Sequence, residues 1–272
     1  MAHKSFLLID EEIKALQQKK FTLNITNLII QKPTFVGVTL YGERRIGKSV
    51  LGLMSMYEIY QDWDEVFKHI FFTMQDLTAF LMKCAKTDYK CPVILWDDSG
   101  VAGGTQMYHT NRVLVHYMSA VFDVIGTVLK GIILTTPDSE NMIKAIRRAN
   151  FYKVKIVPGK SKFDRIANIY LPIRTPYEQF RLKKVGLDHF DVRLPTAVYE
   201  EYYKIRKEYS VSALTDLNSF ISNNSNEGGE HVDYDPEAED KKAEYHKHHE
   251  RDRRAGKTRI RKADWILENP GY

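Results

Sequence analysis

The 272 residues carry 40 basic and 35 acidic side chains, and 43% of them are hydrophobic, enough apolar material for a sizeable core. That composition excludes a wholly disordered chain, and fifteen glycines and nine prolines exclude a collagen-like one. No run approaches the roughly 18 apolar residues of a membrane-spanning helix, and the first ten residues hold only a four-residue apolar run, Phe6 to Ile9, so a soluble cytoplasmic chain without a secretory leader is expected.

In chain order, Glu11 to Lys20 predicts a short surface helix and Phe21 to Pro33 a connector with some strand character. From Phe35 to Tyr41 a mostly apolar run ends in a glycine-rich turn, and Ser49 to Tyr60 follows with helical length, giving strand, loop, helix. His69 to Thr73 predicts a second strand, and Gln75 to Lys86 a helix with Leu77, Phe80, Leu81 and Cys84 along one face. Pro92 to Trp96 predicts a third strand, Thr110 to Leu129 a long helix, Gly131 to Thr136 a fourth strand, Ser139 to Ala149 a helix and Tyr152 to Val157 a fifth strand. Strands alternating with helices imply an α/β fold with a parallel sheet covered by helices on both faces. Ile166 to Ile173, Phe180 to Val185 and His189 to Leu194 predict three further short strands, the first pairing back across the Pro158 to Ser161 turn. Thr196 then caps a helix whose Val198, Tyr202, Ile205 and Tyr209 form one apolar stripe for docking on the domain.

The modest net charge averages over opposed blocks. Between Phe151 and Val185 nine bases face two acids; from Ser222 to Asp240 seven acids stand without a base; from Lys241 to Lys262 ten bases outweigh three acids. The organisation expected is an N-terminal helix and connector at 1–34, a core at 35–158, a β-strand and helix extension at 159–220, an acidic linker at 221–240 and a basic tail at 241–272. Cys84 and Cys91 fit neither a disulfide framework nor a four-ligand zinc site. His246, His248 and His249 lack a third partner type at ligand spacing.

Gly42-Glu43-Arg44-Arg45-Ile46-Gly47-Lys48-Ser49 satisfies G-x-x-x-x-G-K-[ST], preceded by a strand and followed by a helix as the motif requires. Its glycines let backbone N–H groups turn toward a polyphosphate at the positive end of the helix. Lys48 is expected to reach the β- and γ-phosphates, and Ser49 to give its hydroxyl to Mg2+. A second metal anchor is expected at a neighbouring strand tip, and the Pro92 to Trp96 strand ends in Asp97 and Asp98. Asp97 suits the magnesium shell; Asp98 stands where a glutamate commonly orients water, with a side chain one methylene shorter.

With this motif, the Asp97 strand and an extra strand after it, the segment from about Phe35 to Val157 resembles the additional-strand P-loop ATPases, which include AAA+, RecA-like and DNA-translocating families. The resemblance implies ATP and Mg2+ as cofactors. It implies that Thr135 and Thr136, ending the fourth strand, hold the position of a polar γ-phosphate sensor. It also implies that Arg147 or Arg148, just before the fifth strand, reaches the nucleotide of a neighbouring subunit, hence a homo-oligomer. No helical lid with its own sensor arginine is recognisable after Val157. Trp96-Asp-Asp-Ser-Gly100 is also similar to small ATPases of archaeal viruses and plasmids.

Asp97 to Gly100 fits the D-x-x-G of GTPases as well, but where those proteins read guanine with N-K-x-D this chain has Thr135-Thr136-Pro137-Asp138, without the lysine. Glu43 stands where deviant P-loop partition ATPases carry a second lysine. The expected function is a Mg2+-dependent ATPase coupling turnover to work on DNA, such as replication initiation, translocation or packaging. The competing expectation is a nucleotide-gated binding module, or a GTPase-like switch, with little turnover. DNA is expected along 151–185, where bases interleave with Phe163, Tyr170, Tyr177 and Phe180, the alternative being charged edge strands that prevent aggregation, and along 241–262, for which the alternatives are pairing with the acidic run before it or with a protein partner's acidic face.

Overall fold

A computed structural model describes residues 13–98, 121–122, 124–138, 151–174 and 180–226. Residues 13–18 form helix α1. Asn24–Gln31 is α2, a helix in place of the expected connector. Its isoleucines favour a strand locally, but Ile25, Ile29 and Ile30 recur at helical spacing and are buried. Its N-terminus is satisfied from far away in sequence. Leu23, at the cap position, has no polar side chain; the Glu58 carboxylate accepts the N–H groups of Thr22 and Leu23, and Asp188 accepts those of Asn24 and Ile25.

Strand β1 spans Val36–Tyr41 and helix α3 Lys48–Tyr60. A short helix α4, Trp63–Lys68, is capped by Asp62 through the Asp64 N–H, and precedes the two-residue β2, Ile70–Phe71. Helix α5, Met74–Thr87, begins at a Thr73 cap and buries Met74, Leu77, Leu81 and Cys84. Strand β3 is Ile94–Trp96 and β4 Gly131–Thr136; before β4, Ile125–Thr127 make a 3-10 turn. Strands β5, Tyr152–Pro158, β6, Asp164–Arg174, and β7, Phe180–Asp191, follow. The two short strands expected within 180–194 are one, because a register shift between Ile169 and Tyr170 absorbs the irregularity opposite Gly186. Helix α6 runs from Thr196 to Asn226.

The seven strands among the described residues share one sheet in the order β2-β3-β4-β1-β5-β6-β7. The five strands from β2 to β5 are parallel, and β6 and β7 extend them antiparallel. Alternate residues of the central strands enter two separate cores, as the two-residue period demands. Leu95 and Ile133 join Val38 and Leu40 under α2, α3 and α4, whereas Ile94, Trp96, Ile132 and Leu134 pack with α5. The sheet is therefore covered on both faces, and β4, inserted between β1 and β3, aligns their carboxyl-terminal ends.

Contacts divide the chain into two units, Met1–Tyr209 and Ser210–Tyr272. The first holds the sheet; in the second, the described residues 210–226 belong to α6. Among the described residues, no helix is long and apolar enough to cross a membrane. Cys84 and Cys91 are free and buried.

Candidate functional site

The segment between β1 and α3 turns through positive φ at Gly42 (145°), Arg45 (64°) and Gly47 (106°). A side chain is excluded at both glycines. A Cβ on Gly42 would lie 2.8 Å from the Ile156 carbonyl of β5, and one on Gly47 2.6 Å from Val192 Cγ1 beyond β7. Gly47 stands at the helix cap without a capping side chain, so the first turn of α3 points its N–H end and positive dipole toward the loop. Ile46 is buried in the core, its carbonyl accepts from Arg165 Nε of β6 at 3.0 Å, and Glu43, Arg44 and Arg45 are exposed.

Lys48 is 8% exposed and curls over this loop, its Nζ donating to the Gly42 carbonyl at 3.0 Å and the Glu43 carbonyl at 2.7 Å. Burial draws its pKa below the ordinary lysine value, while Asp98 and Asp97 pull the other way. Ser49, the next residue, aims its hydroxyl across the sheet and donates to Asp97 Oδ1 at 2.9 Å.

Asp97 follows β3 and is fully buried. Its Oδ1 also accepts the Thr135 hydroxyl at 2.5 Å, and its Oδ2 accepts the Tyr202 hydroxyl of α6. Asp98 adopts φ of 50°, donates its N–H to Thr135 Oγ1 at 2.8 Å and accepts Arg206 Nη2 on Oδ2 at 2.6 Å. Burial and then Asp97 raise the Asp98 pKa above the ordinary carboxylate value, against the pull of Arg206 and Lys48. Burial opposes the Arg206 charge, yet Tyr202 and both carboxylates raise its pKa. Burial, followed by Asp97, raises the Tyr202 phenol.

The structure thus brings Lys48, Ser49, Asp97, Asp98 and Thr135 to the carboxyl-terminal end of the parallel strands. Thr136 is buried but turns away, its hydroxyl donating to the Asp138 carbonyl at 2.8 Å. Arg147 and Arg148 lie outside the described residues, as does the 241–262 tail. Tyr202 and Arg206 are functional candidates that sequence reasoning missed. Tyr202 was legible only as one member of an apolar stripe, and the available signal was the arginine one helical turn further on, at i+4.

The donor set suits a magnesium nucleotide. Mg2+ characteristically takes one or two protein oxygens and fills its octahedron with waters and substrate phosphates, and Ser49 with Asp97 supplies such a partial set. Among the described residues no group of three or more His, Cys, Asp or Glu side chains is placed to hold a metal alone.

No family model matches the chain. It is 23% identical over 206 residues to an uncharacterised protein, B-251, of Sulfolobus spindle-shape virus 1, the match covering 70% of this chain and 81% of that one. It is 25% identical over 199 residues to an uncharacterised protein, ORF286, of Acidianus two-tailed virus, covering 64% of this chain and 69% of the relative. Among solved structures, the flagellar accessory protein FlaH of Methanocaldococcus jannaschii aligns with a TM-score of 0.34 and 14% identity, over 61% of this chain and 98% of FlaH. The chain is thus similar in sequence to proteins of two archaeal viruses.

Proposed function

We propose that this chain is a P-loop nucleotide-binding protein of the additional-strand class, a Mg2+-dependent ATPase whose turnover does work on DNA in a viral setting. The observation that carries the proposal is the 2.9 Å hydrogen bond from Ser49, at the start of α3, to the buried Asp97 at the end of β3, with β4 between the two strands. That bond links the hydroxyl and the carboxylate that share a magnesium shell, and Lys48 lies directly beside it. When bound, Mg2+ offsets charge building on the transferred phosphoryl group. Lys48 exchanges its two loop carbonyls for phosphate oxygens, the loop N–H groups and the α3 dipole hold the remaining anionic charge, and Thr135 steadies Asp97. Asp98 orients the attacking water and accepts its proton.

DNA is proposed to run along the exposed bases Lys155, Lys160, Lys162, Arg181, Lys183 and Lys184 of the β5–β7 region. There Phe163 is 40% exposed, with the Lys162 and Arg193 cations over its ring. The 241–262 tail is proposed as a second DNA contact, and Arg147 or Arg148 as the arginine acting on a neighbouring subunit. A second reading, a nucleotide-gated binding module with little turnover, draws on one observation: Asp98, already short for its task, is engaged by Arg206.

Calorimetric titration with ATP and Mg2+, using the wild-type chain and Lys48→Ala, tests nucleotide binding. Lys48→Ala is expected to lose binding while remaining folded, since the apolar core is untouched and only the bonds to the Gly42 and Glu43 carbonyls are lost; unchanged affinity refutes the site. Phosphate release with no DNA, single-stranded DNA and duplex DNA then separates the two readings. Stimulation by either DNA supports the ATPase, and nucleotide-dependent DNA binding without turnover supports the module.

A further inference from the structure

We infer that α6 is a latch on the nucleotide site of its own chain, with Tyr202 holding the metal carboxylate and Arg206 the water-orienting carboxylate until a magnesium nucleotide displaces them. This rests on the site assignment proposed above and adds its regulation.

The three side-chain donors on Asp97 among the described residues divide its oxygens unequally. Oδ1 is shared by Ser49 of α3 and Thr135 of β4. Oδ2 is held by Tyr202 alone among the side-chain partners described, and Tyr202 comes from a helix that follows the entire sheet. A hydrated cation joining this carboxylate brings waters that donate hydrogen bonds of their own. The phenol is the competitor from the element least committed to the site, so it is the group to be exchanged.

Arg206 completes the contact one turn later. With Lys48 and Arg206 positive and Asp97 and Asp98 negative, the four formal charges balance, so the guanidinium serves as counter-ion in the nucleotide-free site. A divalent cation disturbs that balance: it attracts both carboxylates and repels the arginine. Arg206 is only half-buried and so has somewhere to go, either to solvent or to the incoming polyphosphate. The ring contacts described beside this pair are apolar. Phe72 stacks on Tyr209 with ring centroids 5.1 Å apart and lies 6.5 Å from Tyr202, so release of the polar pair loosens a helix without unfolding the core beneath it.

The test uses the full chain with Tyr202→Phe, which keeps the ring and removes the donor, and Arg206→Gln, which keeps most of the length and removes the charge. Amide hydrogen exchange over residues 196–209 without nucleotide reads the latch independently of any nucleotide function. Both variants should exchange faster than wild type, and unchanged protection in both overturns the latch. Mg2+-dependent binding of ATP is the second reading. Tyr202→Phe should bind roughly tenfold more tightly, the order expected for removing one hydrogen bond to a charged group; equal or weaker binding overturns the competition. In the wild type, Mg2+ with a non-hydrolysable ATP analogue should accelerate exchange at 196–209, and increased protection there overturns displacement. If the wild type binds no magnesium nucleotide at all, the functional proposal fails, and the latch stands or falls on the nucleotide-free exchange.

Discussion

Asp188 ties β7 to the start of α2, and its removal should be costly. Its carboxylate accepts the Asn24 N–H at 2.8 Å, the Ile25 N–H at 3.1 Å and the Asn24 side-chain amide at 2.9 Å, while only 4% of the residue is exposed. Burial raises its pKa above the ordinary carboxylate value, and the bonds from Asn24 and Ile25 offset part of that penalty. Asp188→Ala leaves the first turn of α2 without this cap, worth about 1 kcal/mol. It also strands the fully buried Ile25 N–H, at about 1–3 kcal/mol, whereas water reaches the exposed Asn24. The expected loss is about 2–4 kcal/mol, or roughly 5–10 °C in melting temperature at this chain size. Asp188→Asn retains an acceptor oxygen and should lose about 1 kcal/mol. Urea unfolding of the full chain measures both, with Lys183→Ala, at an exposed position on the same strand, as a control expected to behave like wild type. An Asp188→Ala chain within about 0.5 kcal/mol of wild type would show that α2 stands without its distant cap.

Asp98→Asn should bind ATP at least as tightly as wild type, since its pairing with Arg206 is weakened, while turnover falls about a hundredfold or more because an amide cannot accept the proton; undiminished phosphate release returns Asp98 to a structural role. Ending the chain at Asp240 should flatten the dependence of log DNA affinity on log salt by roughly 0.9 per lost phosphate contact on duplex DNA, and identical slopes exclude the tail from the DNA interface. His69, buried against Tyr60 and Phe80, has its pKa lowered from 6.5 chiefly by burial, so the unfolded chain takes up the proton first. Its contribution to stability is complete above that value and declines as the pH falls below it. His69→Phe should accordingly show a shallower acid-side fall in melting temperature than wild type, and parallel curves would refute the assignment.

What was legible in the sequence was whatever depends on neighbours along the chain. The apolar run of β4 has the bounds Gly131 to Thr136 in both sequence and structure, because strand length and flanking residues suffice to define it. The β1–loop–α3 unit is legible for the same reason: its glycines mark positions where the backbone itself is unusual. Helix α2 was not, since the carboxylates that satisfy its N-terminus are Glu58 and Asp188, the latter more than 160 residues away. Nor was the single strand β7, whose continuity depends on the irregularity opposite it in β6. At the site, motif spacing indicated that Ser49 and Asp97 belong together. No motif marks Tyr202 and Arg206, which reach Asp97 and Asp98 only because an apolar stripe docks their helix against Phe72.

The support behind the β1–α3 loop bears on how this molecule acquires its shape. Arg165 grips the Ile46 carbonyl across 119 residues, and Val192 and Phe190 lie against Gly47 from further still. The sheet partners of β1 are likewise remote, since Val36 pairs with Gly131 and Val38 with Tyr152. A chain growing from the ribosome therefore has the whole loop sequence outside long before anything exists to brace it. Loop-closure entropy must be overcome before those pairings return any energy, so folding is governed by distant contacts and should be slow for the size of the sheet. The bracing of this loop arrives late in synthesis, after Val192 has emerged, and an unfinished chain carries the loop without it.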